Sequence, residues 1–383
     1  MNQKPNFPKL FVCEARKIFG DDFVPLHRPV FVGREKDYLA ECIDSNFVSS
    51  VGQRVIDFEE QIATLVGTRH GVATVNGTAS LHVALRLVGV QQNDEVLTQA
   101  VTFIATCNAI SYCDAHPVFV DVDRDTMGMS PVALRRFLDE HAEVCGDACW
   151  NKQTGRRISA CVPMHTFGIP CRIHEIHEIC QEWRIPLVED TAEALGSYAQ
   201  GRHVGTFGAV GTFSFNGNKI ITTGGGGMIV TDDEAIAHRA KYLTTTAKVP
   251  HPYEYVHDET GYNYRLPNLN AALGYAQIEK LEWMLAQKRE VTRRYREFFD
   301  ATGVEMIKPL GGDVANNWLN AIVLNSRVER DEFLEYTNSH GVMTRPVWRL
   351  MSDLPMFKDA QTDGLEQSKW LEERVVNIPS SVP

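Results

Sequence analysis

The chain has no apolar run approaching the ~20 residues needed to cross a bilayer, so nothing in it reads as a membrane span. It also lacks a surplus of positive charge. Its 38 Lys and Arg stand against 49 Asp and Glu, a formal net charge of −11. A polyanion repels phosphate backbones, which argues against nucleic acid or an acidic membrane as partner. A small anion is not excluded, because backbone N–H groups at a helix N-terminus bind one locally. No disulfide framework is legible either. The nine cysteines are odd in number, scattered, and often set in apolar runs, and no secretory leader pattern precedes them. The expectation is reduced thiols in a cytoplasmic protein. Two motifs fail on inspection. Cys171, His174, His177 and Cys180 recur every third residue and so drift around a helix instead of forming one metal-binding face. The glycine run at residues 224–227 is not followed by Gly-Lys-Ser/Thr, so it is no P-loop.

What remains is an ordinary globular composition, 44% hydrophobic and 23% charged, over 383 residues, a length that favours two domains. The first ~25 residues show no clear periodicity and are expected to form an arm or first helix. Residues 35–45 have helical spacing, and a second amphipathic helix is expected over residues 55–65, closed by Gly67. Strands are then predicted near residues 71–75, 95–98, 118–120, 160–164 and 187–189, separated by helices. Ser130-Pro131 opens one of these helices with an N-cap and a first-turn proline. Strictly alternating strands and helices imply an α/β fold, a mostly parallel sheet covered on both faces, with ligands at the strands' carboxyl ends. After Thr231 the pattern changes. Residues 251–267 read as an extended loop, residues 270–301 as one long helix, and the rest as a smaller domain of mixed elements.

The strand ends carry the chemistry. Asn76-Gly77-Thr78-Ala79-Ser80 opens a helix after the first strand, where free N–H groups suit a phosphate, although taken alone plain N-capping by Thr78 explains it better. Phe103, just after the second strand, offers a ring for stacking or a core side chain. Glu189-Asp190 closes an apolar strand, where a carboxylate calls for a cationic partner such as a protonated pyridine nitrogen. Glu193 lies one helical turn on, and Ser214 sits five residues before Lys219. Lys219, inside GTFSFNGNKIITTGGGGMIV, is held near glycine backbone, which fits either a solvated loop lysine or a Schiff-base lysine. Together, a phosphate cradle, a stacking ring, an acid for a ring nitrogen and this lysine describe a pyridoxal phosphate site.

The segments VATVNGTASLHVAL, QAVTFIATCNAI, VPMHTFG, VEDTAEALGS, GTFSFNGNKIITTGGGGMI, GYNYRLPN and TRPVWRLM resemble the DegT/DnrJ/EryC1/StrS nucleotide-sugar aminotransferases, over nearly the whole chain from about Val24. The resemblance implies the type I aspartate aminotransferase fold, with an arm (residues 1–25), a large cofactor-binding domain (26–265), and a connecting helix with a smaller C-terminal α+β domain (266–383). It implies that Lys219 carries pyridoxal 5′-phosphate covalently and that Asp190 pairs with the pyridine nitrogen. Glu193 stands where many relatives have glutamine, near the ring hydroxyl. Phe103 is implied to stack on the ring, Gly77, Thr78, Ala79 and Ser214 to hold the phosphate, and Asn263 to reach the phosphate of a neighbouring subunit in a homodimer. His165, Asn218, Arg345 and Trp348 are expected on the substrate side. The NGNK form of the lysine segment and the ending NIPSS look like enzymes acting on UDP-linked 4-keto-6-deoxy-N-acetylhexosamines in legionaminic acid and bacillosamine pathways, with L-glutamate as donor. Sugar 3-aminotransferases and 3-dehydrases of the same fold, and a non-catalytic cofactor-binding regulator, are the alternatives. The 3-dehydrases carry histidine at the lysine position, which Lys219 opposes. The keto sugar and the configuration of the new amine stay open.

Overall fold

Short β-rich runs alternating with amphipathic helices build the larger sheet. In the computed structural model, which describes residues 7–383, β1 (His70–Thr74), β2 (Glu95–Gln99) and β3 (His116–Val120) lead to a hairpin of β4 (Ala142–Cys145) and β5 (Ala148–Asn151). There follow β6 (Arg157–Val162), β7 (Val188–Asp190), a small hairpin of β8 (Tyr198–Ala199) and β9 (Arg202–His203), then β10 (Val210–Ser214) and β11 (Gly227–Thr231). The central strands run in the order β3-β2-β6-β7-β10-β11-β1, with β6 and β7 joined by the parallel bridges Cys161–Leu187 and Met164–Asp190. Only β11 opposes its neighbours, pairing antiparallel with both β10 and β1. The expected mostly parallel sheet is therefore present.

Both faces of this sheet are buried, as helical crossovers require. Val96 of β2 belongs to one core with Ala109 and Ile110, and the adjacent Leu97 belongs to the other with Leu134 and Phe137. Helix Pro131–His141 starts as its sequence predicts, with the Ser130 hydroxyl accepting the Ala133 N–H. Helix Gln53–Val66 ends on Gly67 at φ 83°, a left-handed position that glycine occupies without steric cost.

The long helix expected over residues 270–301 is two helices, Asn268–Ile278 and Leu281–Thr302. They meet at a tight turn in which the Lys280 N–H donates to the Gln277 carbonyl. Their partners explain the break. The first helix packs on helices Glu35–Asp44 and Gln53–Val66, the second on helix Phe7–Phe19 and the smaller sheet. A straight rod cannot face both.

That smaller sheet is antiparallel, in the order β12 (Glu305–Met306), β13 (Asn320–Val323), β15 (Val375–Ile378), β14 (Arg345–Pro346). Helix Phe7–Phe19 is part of its core, with the Phe11 ring 6.0 Å from Tyr295, 6.1 Å from Phe299 and 5.1 Å from Phe333. Among the described residues no helix is long and apolar enough to cross a membrane.

Candidate active site at the strand ends

A cavity of about 320 Å³ opens where β1, β6, β7 and β10 end, the place where parallel sheets bind ligands. Gly77, Thr78, Phe103, Asp190, Glu193, Ser214, Asn218, Lys219 and Trp348 all line it. The sequence-predicted set is thus largely brought together. Four of its members lie elsewhere. Ala79 is buried beside the cavity and donates its N–H to the Asn76 side chain. His165 is fully buried beneath it. Asn263 pairs with Thr245 at the base of the 245–267 loop. Arg345 is exposed, its guanidinium bonded to Asn338 and to the Thr344 carbonyl.

The anion end is built by the start of helix Gly77–Leu87. Asn76, at φ −166°, caps it through Ala79, which leaves the first-turn N–H groups of Gly77 and Thr78 without intrahelical partners. A Cβ on Gly77 would lie 2.8 Å from Ser214 Cβ, so glycine is what lets the Ser214 hydroxyl approach the helix start. The Thr78 and Ser214 hydroxyls likewise line the cavity. Unspent donors with a positive helix end form a seat for a phosphate.

At the other end Asp190 is 3% exposed. Its Oδ2 accepts the Thr106 hydroxyl at 2.7 Å and its Oδ1 the Ala192 N–H at 3.1 Å. Burial pushes its pKa up, against the pull of Thr106, Ala192 and Lys219. A carboxylate so placed gains most from a cationic partner in the cavity. The protonated nitrogen of a pyridine ring meets that need, so the residues present fit pyridoxal 5′-phosphate from phosphate to ring nitrogen.

Lys219 stands between these ends, its side chain 12% exposed. Its Nζ lies 3.3 Å from Glu193 Oε1 and 4.1 Å from the centroid of Trp318. The other Glu193 oxygen accepts the Phe167 N–H at 2.9 Å. Burial raises the Glu193 pKa to about 7, outweighing the neighbouring ammonium and the Phe167 bond. Gly225 and Gly226 of the glycine run line the cavity with Lys219, and the run also gives clearance at the helix start. Gly224 turns at φ +80°, and a Cβ on Gly227 would lie 2.5 Å from the Asn76 carbonyl, so the run lets β11 pass beside the capped helix start.

Glu189, next to Asp190, points to the opposite face and is sealed. It accepts the N–H groups of Gly205 (2.7 Å), Phe207 (2.6 Å) and Gly208 (2.9 Å) and pairs with His165 Nε2 at 3.1 Å. Burial opposes its charge, but these donors hold the carboxyl below its usual value. The Cys171 N–H donates to His165 Nδ1 at 3.2 Å, and a backbone N–H can only donate, so this contact places the ring proton on Nε2, although burial is outweighed by the pull of Cys171 and Glu189, which favours the cation. His165 therefore braces the strand from below, with its own N–H donated to the Asp190 carbonyl at 3.2 Å.

Sequence reading missed Trp318 and Thr106 as parts of this site, and named Asn76 only within the cradle segment, without its role as the helix cap. Asn76 was visible as the residue opening the helix. Thr106 sits one turn beyond Phe103. Trp318 comes from a loop some hundred residues after Lys219, and no local pattern announces it.

A sequence profile described as the DegT/DnrJ/EryC1/StrS aminotransferase family matches residues 31–383. EpsN of Bacillus subtilis (strain 168), which bears the name of a pyridoxal phosphate-dependent aminotransferase, is 38% identical over 336 residues, 88% of this chain and 84% of EpsN. The GDP-perosamine synthase of Vibrio cholerae is 33% identical over 360 residues, 93% of this chain and 94% of the synthase. The crystal structure of the aminotransferase TlmJ from Streptoalloteichus hindustanus superposes with a TM-score of 0.84 at 26% identity, covering 94% of this chain and 93% of TlmJ. With the fold, the cavity and the buried lysine–carboxylate set already in place, these matches show that the chain belongs to the DegT/DnrJ/EryC1/StrS aminotransferase family and is a pyridoxal phosphate-dependent sugar aminotransferase.

Proposed function

We propose that this enzyme transfers an amino group from L-glutamate to C4 of a UDP-linked 4-keto-6-deoxy-N-acetylhexosamine, with Lys219 as covalent anchor and proton carrier. One observation carries the reading: Lys219 Nζ stands in one cavity with the buried Asp190 carboxylate and the open helix start at Gly77–Thr78. Pyridoxal phosphate, when bound, supplies a carbonyl that condenses with amines and a ring that draws electrons from the adjacent carbon. The chain supplies the rest. Asp190, oriented by Thr106 and Ala192, would hold the ring nitrogen protonated. The Gly77 and Thr78 N–H groups and the hydroxyls of Thr78 and Ser214 hold the phosphate. Phe103, half-exposed on the cavity wall, would cover one face of the ring.

Displaced by the donor, the Lys219 amine takes the proton from the donor's α-carbon, and in the second half returns a proton to sugar C4. Leu81, Met164 and Trp348 around the cavity keep bulk water from that proton. Asn263 is assigned to the phosphate of a second subunit, which makes the working unit a homodimer. Asn218 and Trp348 line the cavity and are assigned to the substrate side, and Arg345, exposed on β14, is assigned to the nucleotide by the family resemblance alone.

The UDP-N-acetyl preference rests on the NGNK segment and the NIPSS ending, and the GDP-perosamine synthase match favours a second reading, a GDP-linked 4-keto sugar. Incubation with UDP- and GDP-linked 4-keto sugars and glutamate, followed by NMR of the product, decides between them. The expected outcome is a UDP-4-amino sugar, with the C4 configuration read directly. Turnover of the GDP sugar alone would overturn the UDP assignment, and turnover of neither would overturn the reaction.

A further inference from the structure

Transamination frees the Lys219 amine in each half reaction, and a freed amine on a flexible four-carbon stem must stay within reach of the reacting carbons. We infer that Trp318 and Glu193 form a berth for the free Lys219 ammonium, and that Trp318 is a positioning residue of the reaction. This rests on the reaction proposed above. Lys219 Nζ donates to Glu193 Oε1 at 3.3 Å and sits 4.1 Å over the Trp318 ring, where the electron-rich face attracts a cation. Asp190 on the neighbouring strand adds a second carboxyl to the same cavity, and the His27 ring lies 6.5 Å from Trp318, its pKa lowered by burial and by the charges of Lys288 and Lys219.

Both members of the berth are fixed by groups that otherwise have no assigned task. Trp318 Nε1–H donates to the Asn218 carbonyl at 2.6 Å, so the indole is tied to the segment that carries the lysine. Asn316, 1% exposed, bridges the two halves: its Nδ2 donates to the Glu193 carbonyl at 2.8 Å, and its Oδ1 accepts the Trp318 N–H at 2.8 Å. Behind Trp318 lies Lys288, 1% exposed and facing carbonyls alone. Its ammonium donates to the carbonyls of Trp318 (3.1 Å), Asn317 (3.3 Å) and Ser380. Among the described residues no carboxylate pairs with it, which is costly for a buried cation, and burial lowers its pKa to about 7. A position that retains it ties the long helix and the C-terminal segment to the back of Trp318. The NIPSS ending thus reaches the site through Ser380 and this lysine rather than by touching the cavity.

The test uses enzyme loaded with pyridoxamine 5′-phosphate, in which Lys219 is free whatever sugar the enzyme takes. Acetic anhydride labelling of Lys219, followed by peptide mass spectrometry, is compared among wild type, Trp318→Leu, Trp318→Phe and Glu193→Gln, with Lys288 as an internal report of folding. Losing the ring face should speed Lys219 labelling roughly fivefold in Trp318→Leu, with Trp318→Phe in between because a smaller ring remains. In turnover, Trp318→Leu should lower kcat about tenfold with the donor KM within about twofold, and Trp318→Phe should recover most of kcat. Labelling and kcat at wild-type values in Trp318→Leu would overturn the berth, as would Trp318→Phe behaving like Trp318→Leu. If Lys288 becomes labelled in Trp318→Leu, that variant has unfolded and Trp318→Phe decides: about twofold faster Lys219 labelling supports the berth, and an unchanged rate overturns it. The labelling result does not depend on which substrate is correct, so failure of the berth and failure of the proposed reaction are separately visible.

Discussion

Glu189 and Asp190 are adjacent on β7, equally removed from solvent, and face opposite sides of the sheet. On one side Glu189 has three backbone donors and His165, which leaves it nothing more to bind. On the other, Asp190 has Thr106 and Ala192 alone and faces a cavity with a lysine in it. The difference teaches how to separate structure from function in a pair of buried acids. A saturated carboxylate holds a fold together, and an undersaturated one beside a cavity is held ready for a ligand.

The comparison breaks first if Glu189 is dispensable. Glu189→Ala strands His165 and three N–H groups in the core, so urea denaturation should show roughly 3–5 kcal/mol of lost stability. Turnover per folded molecule should change by less than about threefold. Asp190→Asn should do the reverse. Its thermal midpoint should stay within a few degrees of wild type, while kcat falls roughly 10²–10³-fold, the usual cost of losing one aimed electrostatic partner.

Glu193, on the open side, sharpens the contrast through pH. Burial puts its folded pKa at about 7, above its ordinary value of 4.5. Between those values the unfolded chain releases the proton first, so this group's contribution to stability falls as pH rises through that window and is flat outside it. Wild type should therefore lose up to about 3 kcal/mol relative to Glu193→Gln between pH 4.5 and 7. A constant difference across that range would show that the ammonium of Lys219, not burial, governs Glu193. The smallest effect is expected at Thr106→Val, which removes one of the two donors to Asp190. A kcat lower by roughly tenfold, with the fold intact, is expected from the loss of one hydrogen bond to a charged group.

Much of this was legible in the sequence because the site is made locally. The strand-to-helix junction at residues 76–79, the acid closing β7 and the lysine after β10 are each short patterns, and a parallel sheet gathers strand ends on one edge. What escaped was assembled from afar. Trp318, Asn316 and Lys288 come from a loop and a helix that meet the cavity only after the smaller sheet packs on the larger, and a tryptophan or lysine in isolation carries no sign of that. His165 was misleading for a related reason. It lies just past β6 beside a strand end, yet its ring turns under the sheet to Glu189 instead of into the cavity. The glycine run reads as space for the lysine, and Gly225 and Gly226 do line its cavity, but the close approach of Gly227 to the Asn76 carbonyl, about 150 residues away in sequence, carries no local sign. The single long helix failed because periodicity reports amphipathicity, not which neighbour each half must face.

The central claim is that Lys219 is the residue that carries the cofactor. Borohydride reduction of the enzyme with pyridoxal 5′-phosphate, then peptide mass spectrometry, tests it directly. The account predicts one pyridoxyl group per chain, on the peptide containing Lys219, and none in Lys219→Ala. A label on another lysine, or full labelling retained in Lys219→Ala, would contradict it.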